Sequence, residues 1–419
     1  MRIGIISTLE ASPWGGSELL WSLAAARLQQ EGHEVHISVR AFSPIRPEIE
    51  ALQRAGCRVH HRNANAGPSS PPVPVSSRLT VKERLQAALT WAQQPVVPVA
   101  QPQPELNDWA AINNWLDLVR PDFVLISQSF FTDGYTIREA CTHRQIPFAP
   151  LVQSADDHVW QDDALSVAVA AQFEAASVCL FVSEGLISFA RRALATPLPR
   201  AKVVFNPPNP GIGSGIIPYP ASAEPLRLAC VARLECSQKG QDILFEVMGA
   251  EKWRQRPISV SLFGSGPDEP RLRRLQSLFG ADNIEFRGFG TDLAAIWREH
   301  HALVLPSRYE GLPLVVVEAM LCGRPCIVTD VMGSAELLRE GETGFIAEAA
   351  TPHYVDAALE RAWQNRARWC EMGARAAASI RAQMPPDPVE QLIGEVIRSE
   401  ERDSVGGRLD SRAFDGGLC

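Results

Sequence analysis

Residues 307–330 read SRYEGLPLVVVEAMLCGRPCIVTD. An apolar strand ending near Pro306 runs into a short loop with Glu310 and Gly311. A helix is expected from about Pro313, since proline suits the first helical turn. A second apolar strand is expected at Pro325–Asp330. The stretch is therefore a strand–loop–helix–strand unit of a parallel sheet. The backbone N–H groups of Gly311, Leu312, Leu314 and Val315, around Pro313, lie at a helix start, where the positive end of the helix favours an anion such as a diphosphate. Glu310 before the helix and Glu318 inside it suit hydrogen bonds from sugar hydroxyls better than contact with phosphate.

The same alternation extends in both directions. Towards the N-terminus, strands are expected at Arg2–Thr8, Glu34–Arg40, Arg58–Arg62, Phe123–Ser129, Pro147–Ser154, Val178–Ser183 and Lys202–Asn206. Between them, helix-like stretches include Ser17–Gln30, Arg46–Ala55, Leu106–Val119 and Asp133–His143. Residues 63–104 interrupt the pattern with eight prolines and weak periodicity. They read as an insertion with one short helix near Leu79–Trp91. The Pro- and Gly-rich residues 207–224 read as a linker. The rhythm then restarts, with strands at Leu226–Arg233, Ile258–Gly264, Ile284–Gly288, Ala302–Pro306 and Gly344–Ala347. This division gives an N-terminal domain at 1–206, a C-terminal domain at 225–384, a last helix at 385–401, for which the family resemblance named below implies a return to the first domain, and a disordered tail at 402–419. The fold class expected is α/β, with two Rossmann-like parallel-sheet domains facing across a cleft. Ligands in such sheets bind beyond the carboxyl ends of the strands.

Composition narrows the function classes. The 419 residues carry a net charge of -8, which disfavours a general nucleic-acid binder. No run is long and apolar enough to span a bilayer. The opening MRIGIISTLE does not read as a secretory signal. Nine irregularly spaced cysteines without a CxxC pair fit small core residues in a reducing compartment, so the cytoplasm is expected. Only four of the 40 basic residues are lysine, at 82, 202, 239 and 252.

Further motifs fall at the same kind of place. In VARLECSQKGQDIL, Arg233 closes a strand and Lys239 follows before a helix; a guanidinium fork and a compact ammonium suit two phosphoryl groups. In WGGSE, Gly15 and Gly16 open the first helix and allow close approach to the backbone. It is not a GxGxxG fingerprint, so a dinucleotide-binding oxidoreductase is disfavoured. In LFGSGPDEPRL, Gly264 and Gly266 stand in a strand-to-helix turn, and FRGF supplies Arg287 beside Gly288. The adjacent histidines His60–His61 and His300–His301 show no ligand spacing and read as structural.

Taken in order, these motifs resemble the family 4 glycosyltransferases, which have the GT-B fold. The likeness is strong over Pro225–Ala350 and looser in the first domain. It implies retaining transfer of a sugar from a UDP- or GDP-sugar to a carbohydrate, lipid-linked or small-molecule acceptor, in polysaccharide or glycoconjugate synthesis, without cofactor or metal. No Asp-x-Asp motif appears, and Asp156–Asp157 lacks that spacing. By the resemblance, Arg233 and Lys239 face the diphosphate, Glu310 the donor sugar and Glu318 the ribose. Gly264, Gly266 and Arg287 line the base pocket, and Gly16 reaches the diphosphate after closure. Many relatives carry a histidine after a first-domain strand. Here the matching positions are Gln128 and Gln153, with His158 five residues beyond the latter. Glutamine cannot act as a base but can align a hydroxyl on the acceptor side. Membrane contact is expected to be peripheral at most. A nucleotide-sugar-binding protein without transfer, or another GT-B enzyme such as a phosphorylase or epimerase, are the alternative readings.

Overall fold

The computed structural model describes residues 1–9, 14–62, 106–158, 160–213, 215–221, 224–290 and 292–399. The expected insertion at 63–104 with its helix, and the tail from 402, lie outside them. The first sheet has seven strands: β1 (Arg2–Ser7), β2 (Glu34–Arg40), β3 (Arg58–Arg62), β4 (Phe123–Gln128), β5 (Phe148–Val152), β6 (Cys179–Phe181) and β7 (Ala201–Val203). Their order is β3-β2-β1-β4-β5-β6-β7, and every pairing is parallel. The second sheet has six: β8 (Leu226–Val231), β9 (Ile258–Phe263), β10 (Ile284–Gly288), β11 (Ala302–Leu305), β12 (Cys326–Thr329) and β13 (Gly344–Ala347). It is also parallel, in the order β10-β9-β8-β11-β12-β13.

Each sheet reverses strand order once, between β1 and β4 and between β8 and β11. Such reversals open the crevice where α/β sheets take ligands. The WGGSE turn follows β1, the Arg233–Lys239 loop follows β8, and the Glu310 loop follows β11. Three motifs found independently in the sequence thus stand at the two reversal points.

The central strands are apolar throughout because helices cover both faces. In β1, Ile3, Ile5 and Ile6 are all buried, with Ile5 in register with Ile37 and Leu125. The helix Leu314–Leu321 follows the same rule. Its run of three valines opposes helix propensity, but Val316, Val317, Ala319 and Met320 are completely enclosed. Tertiary burial decides the outcome. Gly323, at φ 78°, closes that helix, and its N–H reaches back to Met320 while the N–H of Arg324 reaches Ala319.

Some boundaries differ from the expectation. β7 is Ala201–Val203 rather than Lys202–Asn206, since the chain leaves the sheet towards Pro207. The helix expected from Asp133 begins at Tyr135, because Gly134 is left-handed at φ 70° and Asp133 accepts from the N–H of Phe130. Seven buried cysteines are free thiols, Cys57, Cys141, Cys179, Cys230, Cys236, Cys322 and Cys326, as small core residues would be. Among the described residues no helix is long and apolar enough to cross a membrane.

Two connections join the domains. Residues 388–399 form the last described helix, and it packs on the first domain. Gln391 donates to the carbonyl of Val203 and accepts from the N–H of Phe205, and Arg27 pairs with Asp387 at 2.6 Å. The other connection is held by Arg324, which is fully buried. Its guanidinium donates to the carbonyls of Ile217 and Pro218 in the linker and of Trp297, His300, Cys322 and Gly323 in the second domain. It also lies over the ring of Tyr219, 5.3 Å from the centroid.

Arg324→Ala would remove a buried donor from these carbonyls, of which that of Cys322 keeps the N–H of Ile217. It is expected to lower unfolding stability by more than about 3 kcal/mol, read from the urea midpoint. Arg324→Lys, with three donors in place of the planar fork, is expected to recover only part of it.

Candidate functional site

The second domain brings Lys239 and Glu310 together. Lys239 Nζ donates to Glu310 Oε1 at 2.6 Å, and Ser307 Oγ donates to the same oxygen at 2.7 Å. Glu310 is 5% exposed, so the pair is largely withdrawn from water. Two devices hold the loops in register. Arg308 forms a bidentate pair with Asp242 at 2.7 and 2.8 Å and donates to the carbonyl of Cys236. Gly240, at φ 63°, presses on the Pro306 carbonyl so closely that a Cβ there would lie 2.0 Å from the oxygen. Only glycine fits, and Lys239 is thereby delivered to the loop of Glu310. Arg308, Asp242 and Gly240 have no part in the sequence reading. Asp242 and Arg308 lie 66 residues apart, and nothing local announces the pairing.

Arg233 stays on its own loop. It is half-exposed, donating to Gln238 at 2.7 Å and pairing with Glu235 at 3.1 Å. Gly264, at φ 138°, and Gly266 abut the backbone beside it: a Cβ would lie 2.0 Å from the Ala232 carbonyl and 2.3 Å from that of Leu234. Protein packing alone accounts for these two glycines. Arg287 is exposed and pairs with Glu285 at 3.4 Å.

The first domain meets this site through backbone. A Cβ on Gly311 would fall 1.8 Å from the carbonyl oxygen of Gln153, so the two domains touch where the Glu310 loop begins its helix. Pro313 is the N-cap of the helix, Leu312 is buried, and Leu314 faces Gly16, where a Cβ would lie 3.0 Å from Cδ1. Val315 is half-buried in the same first turn. Tyr309 meets Phe130 across the domains at 6.1 Å, a contact the sequence did not suggest.

Glu318 is 6% exposed, and its Oε1 accepts the N–H of linker residue Asn209 at 3.1 Å. Burial pushes its carboxyl up to about 7, only partly offset by that bond.

The two glutamines have different surroundings. Gln128 is 1% exposed, and both ends of its amide are used, accepting from Arg138 Nη1 at 2.8 Å and donating to the Phe130 carbonyl at 2.9 Å. It braces the loop after β4 rather than facing an open acceptor surface. Gln153 accepts from Asn206 Nδ2 at 2.8 Å and donates to the Ser17 carbonyl at 3.3 Å, within contact of the Gly311 turn. His158 is exposed and lies 3.1 and 3.0 Å from Asp156 and Asp157. The ligand atoms of these three consecutive residues fall within 4.8 Å of one another, a grouping that could approach one cation.

Two facing parallel sheets with a loop site at both reversal points define the GT-B fold. Solved structures agree over nearly the whole length: Anabaena HepE in complex with UDP superposes with a TM-score of 0.65 over 95% of this chain and 100% of that one, at 14% identity. Residues 225–365 match the family model described as Glycosyl transferases group 1. Among curated relatives, the GDP-mannose-dependent alpha-(1-6)-phosphatidylinositol monomannoside mannosyltransferase of Mycobacterium tuberculosis is 28% identical over 54% of this chain and 62% of its own. The N-acetyl-alpha-D-glucosaminyl L-malate synthase of Bacillus anthracis is 29% identical over 35% of this chain and 39% of its own. The chain thus spans less than two thirds of these relatives' length.

Glu318 and the similarly buried Glu18, also pushed up to about 7, make stability depend on pH. Between the ordinary 4.5 and about 7 the folded chain binds more protons than the unfolded one, so stability falls as pH rises and levels off above 7. Glu318→Gln is expected to remove about 2–4 kcal/mol of that fall, measured as unfolding free energy at pH 5 and pH 7.5.

Proposed function

We propose that this chain is a cytoplasmic, retaining and metal-independent glycosyltransferase of family 4, moving a sugar from a UDP- or GDP-sugar to an acceptor. The acceptor is a carbohydrate, a lipid-linked sugar or a small molecule, and the product belongs to polysaccharide or glycoconjugate synthesis. The observation that carries this reading is the Lys239–Glu310–Ser307 cluster at the N-terminus of Leu314–Leu321, inside the stretch that matches the group 1 glycosyl transferases. Buried free thiols support a reducing compartment.

Breaking the bond from the sugar to the diphosphate leaves negative charge on a phosphate oxygen. In this reading Lys239 gives up Glu310 and takes the diphosphate, with Arg233 swinging from Gln238 to join it. The first N–H groups of the helix, at Leu314 and Val315, complete the cradle. Preorganised donors in a water-poor site stabilise developing charge most effectively. Glu310, released from Lys239, receives hydroxyls of the donor sugar. Glu318 receives those of the ribose, with Asn209 holding one of its oxygens. Gly264, Gly266 and Arg287 border the base, and the missing Cβ of Gly16 admits the diphosphate to the first helix. Mannosyltransferase and UDP-bound neighbours support both bases as candidates.

One observation favours a second reading, a donor-binding protein without transfer. Gln153 stands where many relatives of family 4 have histidine, and its amide is bonded on both sides. Nucleotide release from UDP- and GDP-sugars decides between the readings: slow hydrolysis of one donor supports the enzyme, and tight binding without turnover supports the binder.

Lys239→Ala and Glu310→Ala are expected to cut nucleotide release by about 100-fold or more with unchanged circular dichroism. Lys239→Arg keeps the charge but loses the compact ammonium and should fall in between, and Gln153→Ala should lose least. Unaltered turnover in both alanine variants would remove the site assignment.

A further inference from the structure

The loop after β12 has a backbone that its sequence does not favour. The N–H of Ser334 reaches back to the carbonyl of Val331 at 2.9 Å and closes a four-residue turn. Met332 stands second in it, at φ 42° and ψ -123°. These angles are close to those of a type II′ turn, where glycine is the usual occupant of that place. A side chain held there is strained, and the strain persists only where the surroundings over-determine the backbone.

Here the surroundings come from the first domain. The chain leaving β6 enters the helix Glu184–Ala193, and residues 182–185 bear on three points of the second domain. A Cβ on Gly185 would lie 2.7 Å from both the carbonyl carbon and the carbonyl oxygen of Met332. A Cβ on Gly333 would lie 2.7 Å from Cβ of Ser183, and one on Gly311 would lie 3.0 Å from Cγ2 of Val182. The exposed Glu336 adds a bond, its Oε2 accepting the N–H of Gly185 at 3.3 Å.

The Met332 turn is also tied to the Glu310 loop. Gly333 donates its N–H to the Gly311 carbonyl at 2.9 Å, and a Cβ on Gly333 would fall 2.4 Å from that oxygen. Gly311 follows Glu310, whose Oε1 holds Lys239 and Ser307. A displacement of Met332 therefore reaches Glu310 through one hydrogen bond and two residues. Packing this close transmits a displacement rather than absorbing it.

We propose that Met332 is a positioning residue for sugar transfer. The start of the helix Glu184–Ala193 holds the Met332 turn in its strained form, and that form keeps Gly311, and with it Glu310, in place. Met332 touches no reacting atom; through it the first domain acts on the donor loop of the second. This role rests on the glycosyltransferase reading, and the experiment separates the two. Nucleotide release from UDP- and GDP-sugars at saturating donor, and calorimetric titration of UDP and GDP, are measured on the full chain. Gly185→Ala sets one methyl against Met332 while favouring the helix that carries it. It is expected to cut the rate about tenfold with nucleotide affinity unchanged. Gly213→Ala, where a Cβ meets nothing within 4 Å, is expected to match the parent. Glu336→Ala removes the acceptor of the Gly185 N–H without adding bulk and should lower the rate about threefold. Met332→Gly, added to either impaired variant, should restore rate, because glycine keeps a type II′ turn unaided; Met332→Ala should not. An undiminished rate in Gly185→Ala and Glu336→Ala, a loss that Met332→Gly repairs no better than Met332→Ala, or a fall matched by lost nucleotide affinity overturns the role of Met332 and leaves the glycosyltransferase reading standing. A parent that turns over no donor overturns both.

Discussion

The architecture depends on how closely the turn at Gly311 lies against the carbonyl of Gln153. No side chain intervenes, and none could: the space a Cβ would need is filled by backbone from the other domain. This approach is the tightest of the contacts that set the two sheets face to face, beside Tyr309 on Phe130 and Leu314 against Gly16. It brings the end of β5 against the loop after β11, and so places Glu310, Lys239 and the first turn of Leu314–Leu321 at the junction. Gly333 completes the seat by donating its N–H to the Gly311 carbonyl. This end of the second domain is thus anchored by main chain on both sides.

In the proposed reaction the ion pair at the junction changes partners. Lys239 and Ser307 share a single oxygen of Glu310. Pairing answers the desolvation cost of bringing both charges in from water. It also means that any anion entering the cleft competes with a carboxylate already in place. The loops themselves do not have to move for that exchange, because Arg308, Asp242 and the glycine at 240 hold them.

The sequence was most legible where periodicity speaks. Runs such as Arg2–Ser7 and Cys326–Thr329 are apolar on both faces and alternate with helical stretches, so two parallel sheets could be read without coordinates. That Lys239 and Glu310 sit at one sheet edge was legible too, since both stand in strand-to-helix loops, and the structure pairs them. Illegible were the residues whose meaning lies in distant partners. Gln128 reads as a free amide beside the cleft until Arg138, ten residues on, claims it. Gly264 and Gly266 read, by the resemblance, as lining of the base pocket, yet the backbone at Ala232 and Leu234 already requires them. Glu18 is an ordinary acidic residue in a first helical turn until its burial is seen.

Arg324 has a mechanical consequence. By gripping Ile217 and Pro218 it makes that part of the linker an extension of the second domain. Asn209 is tied to the same domain through Glu318, whereas Asn206 is tied to the first domain through Gln153. The only joint left between those two anchors is Pro207–Pro208, where the rings fix φ and leave the ψ bonds to turn. A swing of one sheet against the other would turn this two-residue stretch, together with the second crossing ahead of the last helix, and would pull on the carboxylate of Glu318.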